Sequence, residues 1–319
     1  MAKGIAILGV LAGFIVFLSI AYLMPPIDDF DPRNPFWNGL SRLYERFNAT
    51  VVDDLRFLGM VDPAGSILVV AGPSRSFDRW EVEAVGRFVS SGGILLVMDD
   101  FGYANTLLEG LDLGFRFNGS LLVDPLFMER GRIAPRIIDV RLDGFDNVVE
   151  GVRFNYATII EGVGFDVIAY SSSFSFLDLD YDLSWSRGEP TGPFPVAVSC
   201  RIGLGMVLAI SDSSVFINSM LDYDGNLRLL DRLLSGRIVY LDVSHTAPSI
   251  HSILKVSLGS ILYVLSIPES RYTIIALSIY AIFKIRIVSR RVKDEVEELL
   301  NRHPGWDRVI IEKVRRDMG

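Results

Sequence analysis

The chain has 319 residues, half of them hydrophobic and 22% charged, with a net charge of −8. That length suits one or two domains, the charged fraction excludes a disordered chain, and the acidic balance argues against a nucleic-acid partner. A single cysteine, Cys200, excludes a disulfide framework and a Cys-rich metal site, and a mean hydropathy of +0.35 requires that the excess apolar residues be concentrated somewhere.

The first such concentration is IAILGVLAGFIVFLSIAYLM, Ile5 to Met24, a run without a charge. As a helix it is roughly 30 Å long, the thickness of a bilayer core. It is longer than the usual signal-peptide apolar region, and Met24-Pro25-Pro26 offers no small-residue cleavage site, so it reads as an uncleaved anchor over 1–24. Residues 25–35 follow as a polar, proline-bearing linker.

From Trp37 to Phe47 the apolar residues Leu40, Leu43, Tyr44 and Phe47 share one face of a short predicted helix. Ala49–Val52 and the continuous apolar run Ser66–Ala71 are predicted strands, the second of a type covered on both faces. Ser76–Ser90 is a predicted helix stopped by Gly92-Gly93, and Ile94–Met98 is a second buried strand. A short helix at Asn105–Gly110 completes a strand–helix–strand–helix pattern, which predicts a parallel sheet with right-handed crossovers.

Between 113 and 200 the pattern changes to strands joined by polar turns: Phe115–Phe117, Ile137–Leu142, Val152–Ile160, Asp166–Tyr170, Phe174–Leu183 and Phe194–Cys200. FSFLDLDYDL alternates strictly, which predicts a half-exposed strand with Asp178, Asp180 and Asp182 on a solvated face rather than at a cation site. Cys200 reads as a small buried strand residue. Met206–Ser211 is a further buried strand, Leu227–Leu234 a helix and Ile238–Leu241 the last strand. Asp222-Tyr223-Asp224-Gly225-Asn226 has part of a calcium-loop pattern but lacks the later bidentate Glu, so it reads as a turn.

A second apolar zone covers 246–289. Ile250–Ile267 has a helix-period apolar stripe, consistent with lying at an interface or crossing it. Tyr272–Val288 has the character of a spanning helix. Residues 290–319 form a basic tail, with helices expected at Val292–Asn301 and after Pro304. Residues 25–245 carry 18 Arg, no Lys and 31 Asp or Glu, whereas 284–319 carry 10 basic and 7 acidic residues. A basic flank beside a membrane helix marks the cytoplasmic side, so both termini are expected inside and 36–245 outside the cell membrane. The sequons at Asn48 and Asn118 are compatible with that placement.

In doubly wound sheets ligands sit beyond the carboxyl ends of parallel strands. The polar residues placed there are Ser74; Asp99 and Asp100, with Asn105 opening the next helix; Asp212, Ser213, Ser214 and Asn218; and His245 after the last strand. These are the candidate ligand-binding residues. Asp212 and Ser213 are equally the expected caps of a following helix. Ser213 or Ser214 with His245 and Asp242 has the residue types of a hydrolase triad, without the G-x-S-x-G elbow.

The segments FVSSGGILLVMDDFGYANTLLEGL (88–111) and ISDSSVFINSMLDYDGNLRLLDRLL (210–234) resemble membrane-anchored DUF4350-type proteins of unassigned function. The outer domain of that group is similar to class I glutamine amidotransferases and, more widely, to ThuA-like and gliding-motility-type transport-associated domains. The resemblance covers most of 30–245 and implies an α/β, flavodoxin-like three-layer domain with a mixed sheet, flanked by transmembrane helices. Active class I amidotransferases carry a Cys on a tight turn between strand and helix. Here Asp99-Asp100-Phe101-Gly102 follows the strand, so that chemistry is not expected. The resulting expectation is a non-catalytic module with no cofactor and no metal site, contacting membrane lipid and another membrane or envelope protein such as a transport or envelope-assembly complex. The competing expectation is an outward-facing serine hydrolase.

Overall fold

The computed structural model describes residues 2–141 and 148–318, which fall into two compact units, Met1–Leu254 and Lys255–Gly319. In the first unit the helices are α1 (Ala2–Leu23), α2 (Ser41–Phe47), α3 (Arg79–Ser90), α4 (Asn105–Gly110) and α5 (Asp224–Leu234). The strands are β1 (Thr50–Val52), β2 (Ser66–Ala71), β3 (Ile94–Met98), β4 (Phe115–Phe117), β5 (Leu121–Val123), β6 (Arg136–Val140), β7 (Val149–Arg153), β8 (Ile160–Gly162), β9 (Asp166–Tyr170), β10 (Phe176–Asp178), β11 (Pro195–Ile202), β12 (Gly205–Ile210) and β13 (Ile238–Asp242). Helix α6 (Ile250–Ser266) crosses the division; α7 (Pro268–Arg302) and α8 (Arg308–Met318) lie in the second unit.

Among the described residues the main sheet runs β1-β13-β2-β3-β12-β11-β9-β6-β7. The first five strands are mutually parallel, and the last four pair antiparallel. Every residue of β2 and β3 is buried, as their unbroken apolar runs require of strands covered on both sides. Side chains alternate between two cores. Ile67, Val69, Leu96 and Met98 pack with Leu43 of α2 and Leu229, Leu230 and Leu233 of α5. Leu68, Val70, Leu95 and Val97 face Val85, Phe88 and Val89 of α3 and Leu107 and Leu108 of α4. The arrangement is therefore helix, mixed sheet, helix.

The turn from parallel to antiparallel is made by the β11–β12 hairpin, closed by Gly203 and Leu204. Gly203 has φ +57°, and a Cβ there would sit 2.6 Å from the Ser90 carbonyl oxygen, so glycine meets both the dihedral and the close approach to α3.

Several expectations change. The helix expected from Trp37 starts only at Ser41, because Asn34 and Asn38 side chains take up the linker backbone. Helix α3 begins after Asp78 rather than at Ser76, since the Glu81 carboxylate accepts the Asp78 N–H at 2.7 Å. The strand expected over 152–160 is two strands separated by a crossing. In that crossing the Asn155 and Thr158 amides donate to Asp212 and to the Ser211 carbonyl instead of to a ladder. The alternating run 174–183 is a strand only to Asp178. There the buried carboxylate accepts the Tyr181 and Leu183 amides and winds the chain into a turn, with both residues at positive φ. Asp178, Asp180 and Asp182 thus do not share a strand face. Cys200 lies in β11 but is only partly buried. Leu142, the last residue of an expected strand, lies outside the described residues.

The expected membrane segments are helical. Among the described residues no single helix is long and apolar enough to cross a membrane. Gly9–Leu23 is a shorter apolar helix, and Ile250–Ser266 with Pro268–Lys284 reaches the required length only as a pair bent by 85°. Helix α7 is continuous to Arg302, so the span and the tail helix read separately in the sequence form one element.

Candidate functional site

Because β13, β2, β3 and β12 are adjacent and parallel, their carboxyl ends fall on one edge. A cleft of about 360 Å³ opens there. Ser74, Asp100, Ser213 and Ser214 line it. Asp99, Asn105, Asp212, Asn218 and His245 do not.

The acids behind this edge are buried. Asp100 accepts the Ser213 N–H and the Ser213 hydroxyl, both at 2.5 Å. Burial pushes its carboxyl up to about 7; the Ser213 hydrogen bonds oppose the rise and the Asp99 charge adds to it. Asp212 is fully buried and accepts Asn155 N–H at 2.8 Å and the Ser214 N–H and hydroxyl at 2.8 and 2.7 Å. Its carboxyl is raised well above the usual range, by burial and then by the Asp100 charge. Asp99 accepts the amides of Phe101, Gly102 and Ala104, which shapes the loop into α4; burial raises its carboxyl against those hydrogen bonds. Asp212 and Ser213 were the expected caps of a helix, but a run of turns follows and α5 begins only at Asp224.

Asn105 and Asn218 are braces. Asn105 makes a two-way bond with the Phe117 backbone, 2.9 Å each way. Asn218 donates to the Asn34 and Phe36 carbonyls and accepts the Arg42 amide, fastening the linker to the turns after β12. Asp178, Asp180 and Asp182 bring carboxylate oxygens within 4.8 Å of one another, a grouping the alternating pattern had placed on a solvated face. Asp178 is spent on two backbone amides, so the cluster braces its own loop.

His245 is 1% exposed and belongs to a buried ionic chain. Its Nδ1 lies 2.6 Å from Asp242 Oδ2 and its Nε2 3.2 Å from Glu81 Oε2, while Phe77 stacks on the ring at 3.7 Å. The Ser244 hydroxyl also lies 3.0 Å from Nδ1, so the ring is held between two carboxylates and a hydroxyl. Arg75 Nη2 donates to Glu81 Oε1 at 2.7 Å. Burial would raise the Glu81 carboxyl, but Arg75, the Asp78 amide and His245 together hold it below its ordinary value. Ser213 and Ser214 give their hydroxyls to Asp100 and Asp212, and His245 gives its nitrogens to Asp242 and Glu81. The residues of the expected triad therefore serve two separate networks.

The cleft walls hold residues that sequence reading passed over: Phe30, Trp37, Phe101, Tyr103, Tyr156 and Asn155. Trp37, Phe101 and Tyr156 are 68%, 75% and 56% exposed. Phe30 and Tyr156 have φ of +59° and +57°, which bulky side chains rarely adopt. These residues lie in irregular segments, where no periodicity marks them. Asp29, Phe30 and Ala247 place the cleft mouth beside the bases of α1 and α6. There the Ser249 amide and the Ser252 hydroxyl both donate to Asp28, and His251 Nε2 lies 2.9 Å from the Ala21 carbonyl.

The sequence profile of a domain of unknown function, DUF4350, matches residues 32–234. The chain belongs to the DUF4350 family. The matched span takes in the cleft's β2, β3 and β12 edge and ends before β13, so Asp242 and His245 lie beyond it. No curated protein matches the sequence. Solved structures similar to this DUF4350 chain are distant. The N-terminal domain of mmIFT52 is 18% identical over 57% of this chain and 79% of that one, with a TM-score of 0.44. A β-galactosidase from Bacillus circulans sp. alkalophilus is 15% identical, with 54% of this chain and 23% of that one covered and a TM-score of 0.33. A cytoplasmic protein from Salmonella typhimurium is 12% identical, with 66% and 94% covered and a TM-score of 0.31. The chain thus spans about a quarter of the β-galactosidase.

Proposed function

We propose that this DUF4350 protein is a non-catalytic binding module with an amidotransferase-like, flavodoxin-like domain. In this reading it is held at the outer face of the cell membrane by its flanking helices, with both termini cytoplasmic. The observation that carries the reading is the cleft at the strand ends. It has exposed aromatic walls, and Asp99-Asp100 stands where an amidotransferase would present its nucleophile. Ligand clefts of α/β sheets lie at this edge, and exposed aromatic side chains around a polar floor are costly unless something covers them. The apolar helix Gly9–Leu23, the bent pair 250–284 and the basic residues after 284 support the membrane anchoring. The cleft mouth then lies next to the lipid surface, within reach of another membrane or envelope protein.

A photo-cross-linking side chain at Trp37, with Leu204 on the opposite edge of the sheet as control, tests binding in native membranes. An adduct enriched at Trp37 is expected; equal labelling at both positions refutes the reading. Protease added to intact cells is expected to remove residues 25–245. Their survival until permeabilisation refutes the outward orientation.

A further inference from the structure

Within that reading of the cleft as a binding site, we propose that its ligand is an organic cation with an apolar body: an amine, a guanidinium or a quaternary ammonium.

The charged residues lining the cleft are Asp29 and Asp100, both acidic; among the described lining residues there is no Lys, Arg or His. The Asp100 carboxylate at the floor is stabilised by Ser213 alone, two hydrogen bonds from one neutral residue. Elsewhere at this edge Arg75 pairs with Glu81, and His245 lies between Glu81 and Asp242; Asp99 and Asp212 are also buried without a cation, but each accepts three hydrogen bonds and neither lines the cleft. Asp100 accepts two, and among the described residues it is the buried acid that lines the cavity. A buried carboxylate without a counter-charge favours whatever brings one.

The walls suit such a group. Phe30, Trp37, Phe101, Tyr103 and Tyr156 surround the floor. Aromatic faces attract ammonium and guanidinium groups, and desolvation strengthens the attraction. Phe30 and Tyr156 hold their rings at the cleft from left-handed backbone, and the Phe30 ring lies directly against Gly72, where a Cβ would be 2.2 Å away. A neutral sugar would also stack on these rings, but it supplies no charge to offset Asp100. A small metal ion would leave the aromatic walls unused. A compact organic cation uses both floor and walls. Beside a membrane the source these aromatic walls favour is a choline or ethanolamine headgroup, since aromatic cages recognise quaternary ammonium groups.

Calorimetric titration of the full chain in a non-choline detergent tests this. The probes are choline, N-acetyl-lysine methylamide, the neutral choline isostere 3,3-dimethylbutanol, and methyl glucoside. Binding of choline at millimolar concentration or below, stronger than that of the lysine amide, is expected; stronger binding of the lysine amide overturns the headgroup as the source. The neutral isostere is expected to bind about tenfold more weakly, and Asp100→Asn and Trp37→Ala each to weaken cation binding by a similar factor. Trp37 is exposed, so its variant tests the site without risk to the fold. Equal binding of the isostere, cation binding unchanged in Asp100→Asn, or no binding of either cation overturns the inference. Methyl glucoside binding that needs Trp37 but not Asp100, or a cross-link at Trp37 without cation binding, overturns the cation while leaving the binding-module reading intact.

Discussion

Replacing Asp100 by Asn is expected to stabilise the protein, by an amount that depends on pH. Asparagine keeps the shape of the side chain: its oxygen still accepts the Ser213 amide and its NH2 donates to the Ser213 hydroxyl. What is lost is a carboxyl that burial moves from 3.8 to about 7. A carboxyl raised in the folded state favours folding when neutral, so its contribution is complete below pH 3.8 and declines as pH climbs to about 7. At 1.36 kcal/mol per pH unit, the penalty on wild type is about 2 kcal/mol at pH 5 and about 4 kcal/mol above pH 7. The gain on substitution should therefore grow by about 2–3 kcal/mol between pH 5 and pH 8. Relief of the charge on Asp212 adds in the same direction. Urea unfolding of the full chain in mild detergent, at both pH values, measures it. A variant that is destabilised equally at pH 5 and pH 8 would refute the argument, because it would show that Asp100 carries no strained charge.

Glu81→Ala removes the cap of α3 and leaves His245 buried with one carboxylate fewer, so a loss of about 3–5 kcal/mol is expected in the same unfolding assay; a loss below about 1 kcal/mol contradicts the ionic chain. Because Glu81 is held below its ordinary value, its contribution should be present above about pH 4.5 and fade as pH falls further, the reverse of the Asp100 trend. Gly203→Ala combines left-handed backbone with a Cβ 2.6 Å from the Ser90 carbonyl, and should cost at least about 1–3 kcal/mol; a neutral result would show that the β11–β12 turn relaxes freely.

The parallel half of the sheet was legible because its residues obey one rule at a time. Ser66–Ala71 and Ile94–Met98 are uninterrupted apolar runs ended by Gly72-Pro73 and Asp99-Asp100, and the observed strands have those bounds. The edge that joins Ser74, Asp100, Ser213 and Ser214 followed from parallel order. The antiparallel half was read less well, for a physical reason. At 174–183 the alternation was genuine, but a buried carboxylate on Asp178 offered the backbone a better partner than a neighbouring strand did. At 152–160 the same happened, through Asp212 and the Ser211 carbonyl. The short β5 escaped notice because three residues show no period. Asn218 and His245 have the composition of site residues, yet their polar atoms are consumed by Asn34, Phe36, Glu81 and Asp242, which only the fold brings near.

The distribution of cost across the rim bears on function. Where β13 meets α3, Arg75 pairs with the buried Glu81, His245 lies between Glu81 and Asp242, and Phe77 covers the ring. At the cleft, some tens of residues away in sequence but on the same edge, three independent penalties coincide. Asp100 is buried without a cation, Phe30 and Tyr156 sit in left-handed backbone, and Trp37 and Phe101 expose most of their surface. Simple substitutions remove each: an amide at 100, glycine or asparagine at 30 and 156, a polar side chain at 37 and 101. A chain whose rim served only to close the fold would gain from all of them, since left-handed backbone at a bulky residue costs about 1–3 kcal/mol. Local rules are broken together where a site needs the broken arrangement.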